Sequence, residues 1–158
     1  MKTFKIASSF YKKDTPSKHQ DVGFIFTENA QMLGTNKNVS MTQAIIRTDK
    51  NGKINQNALP IITKKSQIPN LQWSNSDEDF ERFKTLNEKL IKNILDCKYT
   101  TIVVPGGFAT EKAQLPIRFA HWLQTELEEK LGIITELNVT KTGLITQSIK
   151  KSDTYNFF

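Results

Sequence analysis

Apolar positions divide the chain into short runs typical of buried strands and longer segments with helical spacing. The clearest run, Thr-Thr-Ile-Val-Val at residues 100–104, stops at Pro105-Gly106-Gly107. Apolar residues then recur at helical spacing from Phe119 to Leu131, with Pro116 near the first turn and Gly132 as the stop signal. This order predicts a buried strand, a tight glycine turn and an amphipathic helix.

The same reasoning predicts the remaining elements. Alternating residues or short apolar runs predict four more strands, at residues 2–10, 22–27, 57–65 and 133–140. The lysines in the first of them favour a position at the edge of a sheet. Residues 77–96 predict the longest helix, because apolar residues recur at helical spacing after the capping residue Ser76 and a first turn rich in acids. Asn51-Gly52 predicts a tight turn, whereas residues 42–47 fit either a short helix or a strand.

Together these elements predict a single α/β domain over residues 1–140, with a mixed sheet flanked by at least two helices. A chain of 158 residues is long enough to bury one sizeable core. Residues 141–158 predict a basic, partly ordered tail. Its three aromatic residues, Tyr155, Phe157 and Phe158, are able to dock on the body or on a partner.

Composition is that of an ordinary globular protein. The chain is 37% apolar and 24% charged, and no stretch approaches the ~18 consecutive apolar residues of a membrane helix, so no membrane partner is expected. Lysines interrupt the first apolar residues and leave no signal-peptide core, which predicts a cytoplasmic location, the host cytoplasm if a phage encodes the protein. Cys97 is the only cysteine, so an internal disulfide is excluded. His19 and His121 lack acids at ligand spacing, and we expect no metal and no cofactor.

The net charge of +6 is concentrated in the amino-terminal part of the chain. Residues 1–65 hold 11 Lys and Arg against 4 Asp and Glu, a net of +7, while residues 66–158 hold 11 against 12, a net of −1. Such a bias favours an anionic partner, whether a nucleotide, a nucleic acid or an acidic protein. Lysines that serve only solubility explain the bias equally well.

A candidate anion site combines the glycine turn with polar residues of the amino-terminal half. Gly106-Gly107 lets backbone amides approach a phosphate, although a plain strand-to-helix turn also requires glycine. Gln43 and Arg47 share a face if residues 42–47 are helical, and Arg47 suits bidentate phosphate binding; the alternative is a surface pair with Glu28 or Asp49. The other candidates lie at strand ends or in the turn, namely Asn29, Asn57, Thr63, Lys64, Phe108, Ala109 and Thr110. The two asparagines fit turn caps at least as well.

Several segments share a pattern of residues with a known group of proteins. They are Phe24-Ile-Phe-Thr-Glu-Asn29, Thr42-Gln-Ala-Ile-Ile-Arg47, Asn57-Ala-Leu-Pro-Ile-Ile-Thr-Lys64, and the strand and turn from Val103 to Thr110 with Ala113-Gln-Leu-Pro116. Over residues 22–132 the chain thereby resembles a family of small, mostly uncharacterised bacterial and phage proteins. More remotely, the order of its parts is similar to that of a macrodomain. Gly34-Thr-Asn-Lys-Asn-Val39 stands where macrodomains have a glycine-rich diphosphate loop.

The resemblance and the candidate residues lead to one functional hypothesis and two alternatives. Macrodomains bind ADP-ribose, so the hypothesis is a domain that binds a phosphate-bearing nucleotide metabolite of the ADP-ribose or cyclic nucleotide type. A compatible idea is a phage counter-defence protein that sequesters a signalling nucleotide without turning it over. One alternative is a basic protein- or nucleic-acid-binding module, whose affinity falls steeply with salt. The other is an ADP-ribosyl hydrolase, since some macrodomains hydrolyse ADP-ribosyl linkages.

Overall fold

The computed structural model describes residues 2–37, 42–66, 71–108, 115–138, 143–149 and 153–157. Within these ranges the chain forms a mixed α/β fold with two sheets and three α-helices. In chain order the elements are β1 (Thr3–Ala7), α1 (Thr15–Lys18), β2 (Gly23–Asn29), a 3₁₀ helix (Gln43–Ile46), β3 (Ala58–Lys64), α2 (Asp77–Asp96), β4 (Thr101–Val104), β5 (Gly107–Phe108), α3 (Ile117–Leu131), β6 (Ile133–Asn138), β7 (Gly143–Ile149) and β8 (Thr154–Tyr155).

The main sheet has five strands in the order β3-β2-β4-β1-β8, and each of its recorded pairs is parallel. The strands β1 and β4 are in register from Thr3 beside Thr101 to Ile6 beside Val104. A second sheet, in the order β5-β7-β6, is antiparallel. It follows directly from the turn after β4, because Gly107 is the first residue of β5.

Alternate side chains of the central strands enter two separate cores. One core lies on the side of α2 and α3 and includes Ile25, Ile102, Val104, Phe83 and Phe119. The other lies on the opposite face and includes Phe24, Phe26, Val103, Ile46 and Phe157. Because both faces are covered, the middle strands read as almost continuous apolar runs, which is the usual pattern for a parallel sheet.

Both long helices begin or end where their sequence signals predict. The helix α2 occupies Asp77–Asp96, and the hydroxyl of its N-cap Ser76 accepts a hydrogen bond from the backbone N–H of Asp79 at 3.1 Å. The helix α3 ends at Gly132, which has φ of 69° and donates its N–H to the carbonyl of Glu128. A left-handed residue at this position favours glycine. None of the described helices is long and apolar enough to cross a bilayer.

The sheet corrects two expectations. The first strand is not at the edge, because β8 pairs with its last two residues, Ile6 and Ala7, on the side away from β4. The main sheet is also not mixed in the described residues, since antiparallel pairs occur in the separate sheet β5-β7-β6 and in one isolated bridge, Thr48 to Ile54. That bridge closes the turn predicted at Asn51-Gly52, where Gly52 has φ of 78°.

The predicted tail is part of the fold. β7 is the middle strand of the second sheet, and β8 extends the main sheet. The rings of Tyr155 and Phe157 each lie 6.2 Å from the ring of Phe24, so both aromatic residues dock on the body. Phe158 lies outside the described residues. The folded chain therefore continues well past the boundary predicted at residue 140.

Replacing Phe157 tests whether the carboxyl-terminal residues are part of the core. Phe157 is 9% exposed, so Phe157→Ala should lower the free energy of unfolding by about 3 kcal/mol, near the lower end of Phe-to-Ala effects in cores. The matched control is Phe10→Ala, because Phe10 is 93% exposed and its loss should change stability by no more than about 0.5 kcal/mol. Urea denaturation measures both, and equal effects would contradict the docked arrangement.

Candidate functional site

The parallel strands bring their carboxyl ends to one edge of the main sheet. β1 ends at Ala7, β2 at Asn29, β3 at Lys64 and β4 at Val104. In open parallel sheets, ligands bind in the crevice outside this edge. We call this end of the strands the carboxyl edge, which is not to be confused with the edge strands β3 and β8. Most of the candidate residues lie along it.

Gln43 connects β2 to the glycine turn. Its side-chain oxygen accepts a hydrogen bond from the backbone N–H of Thr27 at 2.9 Å, and its Nε2 donates to the carbonyl of Gly107 at 2.9 Å. Gln43 therefore lies beside the turn, as the sequence predicts. Both of these hydrogen bonds go to backbone groups, so the Gln43 amide links β2 to the glycine turn.

Arg47 follows the 3₁₀ helix and forms a buried ion pair with Glu28. Its Nε and one terminal nitrogen donate to the two carboxylate oxygens, the latter over 2.8 Å, and the other terminal nitrogen donates to the carbonyl of Lys37. The side chains of Arg47 and Glu28 are 4% and 1% exposed. The guanidinium of Arg47 makes a bidentate contact of the kind predicted from the sequence, but its partner is the buried carboxylate of Glu28 and not a phosphate. The partner Glu28 is the one considered as the alternative, although the pair is buried and not on the surface.

Asn29, Thr63 and Lys64 lie at the adjoining ends of β2 and β3. The side-chain oxygen of Asn29 accepts a hydrogen bond from the N–H of Met32 at 3.0 Å, which caps the turn after β2. Thr63 is buried at a bulge, where Glu28 pairs with Ile62 and Asn29 pairs with Lys64. Lys64 is half-buried, and no hydrogen bond or ion pair joins its ammonium group to another described residue. Of the three, Lys64 is best placed to meet an anion.

Asn57 lies at the other end of the strands, where β2 and β3 begin. Its Nδ2 donates to the carbonyls of Pro16, His19 and Val22 at 2.9–3.1 Å, just before β2 and β3 begin. Seven residues of β3 separate it from the carboxyl edge, a distance of about 20 Å at ~3.3 Å per residue. Asn57 therefore cannot share a site with Gly107, and this part of the prediction is wrong. Its role is to fix the loop after α1.

The glycine turn is held on both sides. The carbonyl of Gly106 accepts from the N–H of Thr146, and the carbonyl of Pro105 accepts from the hydroxyl of Thr146 at 2.8 Å. Gly106 is exposed, and a methyl group added there would meet no other atom within 4 Å. Phe108 is fully buried and belongs to the core. The last two candidates of the turn, Ala109 and Thr110, lie outside the described residues.

The loop after β1 reaches the same edge, and sequence reasoning did not include it. Because Ile6 pairs with Val104, the loop that starts at Ser8 and the turn that starts at Pro105 leave neighbouring strand ends. Ser8 is exposed, Ser9 is half-buried, and Phe10 is almost completely exposed. The available signal was a pair of serines and an aromatic residue directly after a strand. It was not used because the first strand was predicted over residues 2–10, which include all three residues, whereas β1 ends at Ala7.

Two charged residues near the carboxyl edge have shifted pKa values. Burial lowers the pKa of Lys13; Asp49 opposes this effect and Arg47 adds to it, and the ammonium donates to the hydroxyl of Thr48 at 2.8 Å. Burial raises the pKa of Asp79, but hydrogen bonds from Ser74 and the ammonium of Lys65 at 3.1 Å outweigh it and lower the pKa below its ordinary value. Lys65 is therefore neutralised by Asp79.

Two cavities lie away from these residues. One of about 320 Å³ is lined by Lys12, Asp14, Thr15, Lys18, His19 and Phe157, beside α1. The other, of about 260 Å³, lies near the amino end of β1 and the end of α3. In the described ranges, no three His, Cys, Asp or Glu side chains form a group that could hold a metal ion.

The described residues form an α/β fold whose parallel sheet carries polar side chains at the carboxyl ends of its strands. The chain belongs to a family of unknown function, DUF7831, whose model matches residues 6–130. The matched range runs from β1 through nearly all of α3 and excludes β6, β7 and β8. Searches of curated proteins and of solved structures found no significant match. Membership in an uncharacterised family is thereby confirmed.

Removing the guanidinium should destabilise the fold and not only a ligand site. Arg47→Met leaves the Glu28 carboxylate buried without its partner, which should lower the free energy of unfolding by about 3–5 kcal/mol. The double variant Glu28→Gln with Arg47→Met should lose less, because no buried charge is left alone. Urea denaturation of both variants is the measurement, and a loss below about 1 kcal/mol for Arg47→Met would contradict the buried pair.

The two glycines of the turn should respond differently to an added methyl group. Gly107→Ala places Cβ 3.2 Å from the carbonyl oxygen of Leu144, a backbone atom that cannot easily move, so a loss of about 1–3 kcal/mol is expected. Gly106→Ala meets open space and should change stability by less than about 0.5 kcal/mol. Thermal unfolding of the two variants side by side distinguishes them, and equal losses would show that the turn is packed differently.

Proposed function

We propose that the protein binds a phosphate-bearing nucleotide metabolite, with the phosphate in the mouth between the loops after β1 and β4. We define this mouth by Ser8, Ser9 and Gly106. The two loops leave neighbouring parallel strands at their carboxyl ends, the position where nucleotides bind in many open α/β sheets. The remote likeness to macrodomains supplies the first ligand to test, ADP-ribose.

The observation that carries this proposal is the open backbone at Gly106. Its carbonyl is bound to Thr146, and no described residue accepts a hydrogen bond from its N–H. A free N–H with no side chain beside it allows a phosphate oxygen to approach closely. The hydroxyl groups of Ser8 and Ser9 supply further donors of the kind that phosphates bind.

Gln43 and Arg47 support the mouth without touching the ligand in this proposal. Gln43 fixes the far side of the turn through the carbonyl of Gly107, and Arg47 neutralises Glu28 close to the end of β2. Positive charge comes from Lys64, about 10 Å from β4 at two strand spacings, and from the net +7 of residues 1–65. The expected contacts thus differ from the set chosen on sequence grounds.

Binding without turnover is the form of the proposal that the described residues support best. Glu28 is the second-last residue of β2, and its carboxylate oxygens accept hydrogen bonds from the N–H of Asn29 and from Arg47. A carboxylate held in this way is a poor general base, because its charge and lone pairs are already used. This favours sequestration of a signalling nucleotide, including the phage counter-defence role, over ADP-ribosyl hydrolysis.

A thermal-shift screen tests the proposal and its main competitor. The full chain is heated with ADP-ribose, cyclic ADP-ribose, cyclic oligonucleotides, AMP or short DNA. A ligand that binds the folded state stabilises it by about 2.7 kcal/mol at 100 times its Kd, which raises Tm. We expect a nucleotide to raise Tm. If only DNA does so, with an effect that disappears as salt rises, the nucleic-acid-binding module is correct instead.

Two variants that add the same charge at different positions test whether the ligand binds in the mouth. Gly106→Asp puts a carboxylate into the mouth and should weaken nucleotide binding at least tenfold, which is about 1.4 kcal/mol, without unfolding the protein. Asn93→Asp adds the same charge on the exposed face of α2, towards its carboxyl end, and should leave affinity unchanged. If calorimetry gives the two variants equal affinities for the nucleotide, the ligand does not bind in the mouth.

A further inference from the structure

Phe10 is exposed to an unusual degree for a large apolar residue. It is 93% exposed, whereas the other exposed large apolar residues are between 38% and 50% exposed. Single exposed apolar residues are common on protein surfaces and require no explanation by themselves. Phe10 differs because of how it is held and where it lies.

The neighbours of Phe10 are fixed on both sides. Before it, the N–H of Ser8 donates to the carbonyl of Tyr155 at 3.1 Å. After it, Tyr11 is buried, donates its hydroxyl to the carbonyl of Ile25 at 2.7 Å, and packs edge-on against Phe24 at 5.8 Å. Only Ser9 and Phe10 lie between these anchors, so the backbone at Phe10 is restrained on both sides while its ring is exposed to solvent.

The loop that carries Phe10 also begins next to the strand that leads into the glycine turn. Ile6 pairs with Val104, so β1 and β4 end side by side, and Phe10 comes three residues after the end of β1, a stretch of at most about 10 Å. In this arrangement one nucleotide would contact both the open N–H of Gly106 and the face of the ring. An aromatic face beside a phosphate site is the arrangement that single nucleotides recognise.

We propose that Phe10 is the platform on which the base of the bound nucleotide stacks, so that the site selects base-containing ligands and prefers purines. This inference rests on the proposed phosphate position. Stacking on an aromatic side chain tolerates any base because each has a π face, and a purine covers more of the ring than a pyrimidine does.

Three ligands that differ only in the base provide the test. AMP, UMP and ribose 5-phosphate share the ribose and the 5′-phosphate, and each is titrated into the full chain by calorimetry. We expect affinity to fall in the order AMP, UMP, ribose 5-phosphate. Phe10→Ala should weaken AMP binding about 5- to 100-fold and leave ribose 5-phosphate unchanged, in line with measured stacking effects. Phe10→Trp should retain the preference for AMP.

Control variants separate stacking from general effects. Leu95→Ala removes an exposed apolar side chain near the end of α2, before β4 begins, and should not change any of the three affinities. Phe10→Leu keeps an apolar group without a π face and should lose most of the preference for AMP. The base protons of AMP should shift upfield in NMR spectra with the natural protein and not with Phe10→Ala, because the ring current acts only on a stacked base.

Each outcome bears on one of the two proposals. If Phe10→Ala binds AMP as tightly as the natural protein, or if the natural protein binds AMP and ribose 5-phosphate equally well, the stacking role is wrong while the phosphate site stands. If Gly106→Asp leaves ribose 5-phosphate binding unchanged, or if none of the three ligands binds, the phosphate site itself is wrong and the stacking role falls with it.

Discussion

The buried ion pair between Arg47 and Glu28 is the constraint on which the carboxyl edge depends. Two charges taken out of water are costly unless each is fully compensated, and here the guanidinium meets both carboxylate oxygens and a backbone carbonyl. The pair joins the end of β2 to the residue that follows the 3₁₀ helix. It therefore determines where Gln43, at the start of that helix, can place its amide.

Gln43 and Thr146 then fix the glycine turn from opposite sides. The first reaches it from the main sheet and the second from the antiparallel sheet, and together they bind the carbonyls of Pro105, Gly106 and Gly107. With these carbonyls bound, the N–H of Gly106 donates to no described residue. The two sheets are thus joined through the segment to which we assign ligand binding.

The sequence predicted where the helices and strands lie better than it predicted which side chains contact one another. The helix α2 was predictable because Ser76, the acidic first turn and the apolar spacing all agree. The partner of Arg47 was not, because sequence spacing does not say whether a guanidinium meets a ligand or a carboxylate 19 residues away. Asn29 and Asn57 look alike as residues beside strands, yet they lie at opposite ends of the strands, because Asn29 ends β2 and Asn57 precedes β3; only the shared direction of these two strands decides this. The role of β7 was missed because its strand-like alternation lies among basic residues near the end of the chain.

The position of Thr146 also bears on how the family is defined. The family model matches residues 6–130, whereas the strand that supports the glycine turn begins at residue 143. A fragment cut at residue 130 would keep the turn itself but lose the hydrogen bonds from Thr146 to Pro105 and Gly106. In this protein the matched range is therefore shorter than the set of residues that holds the turn in shape.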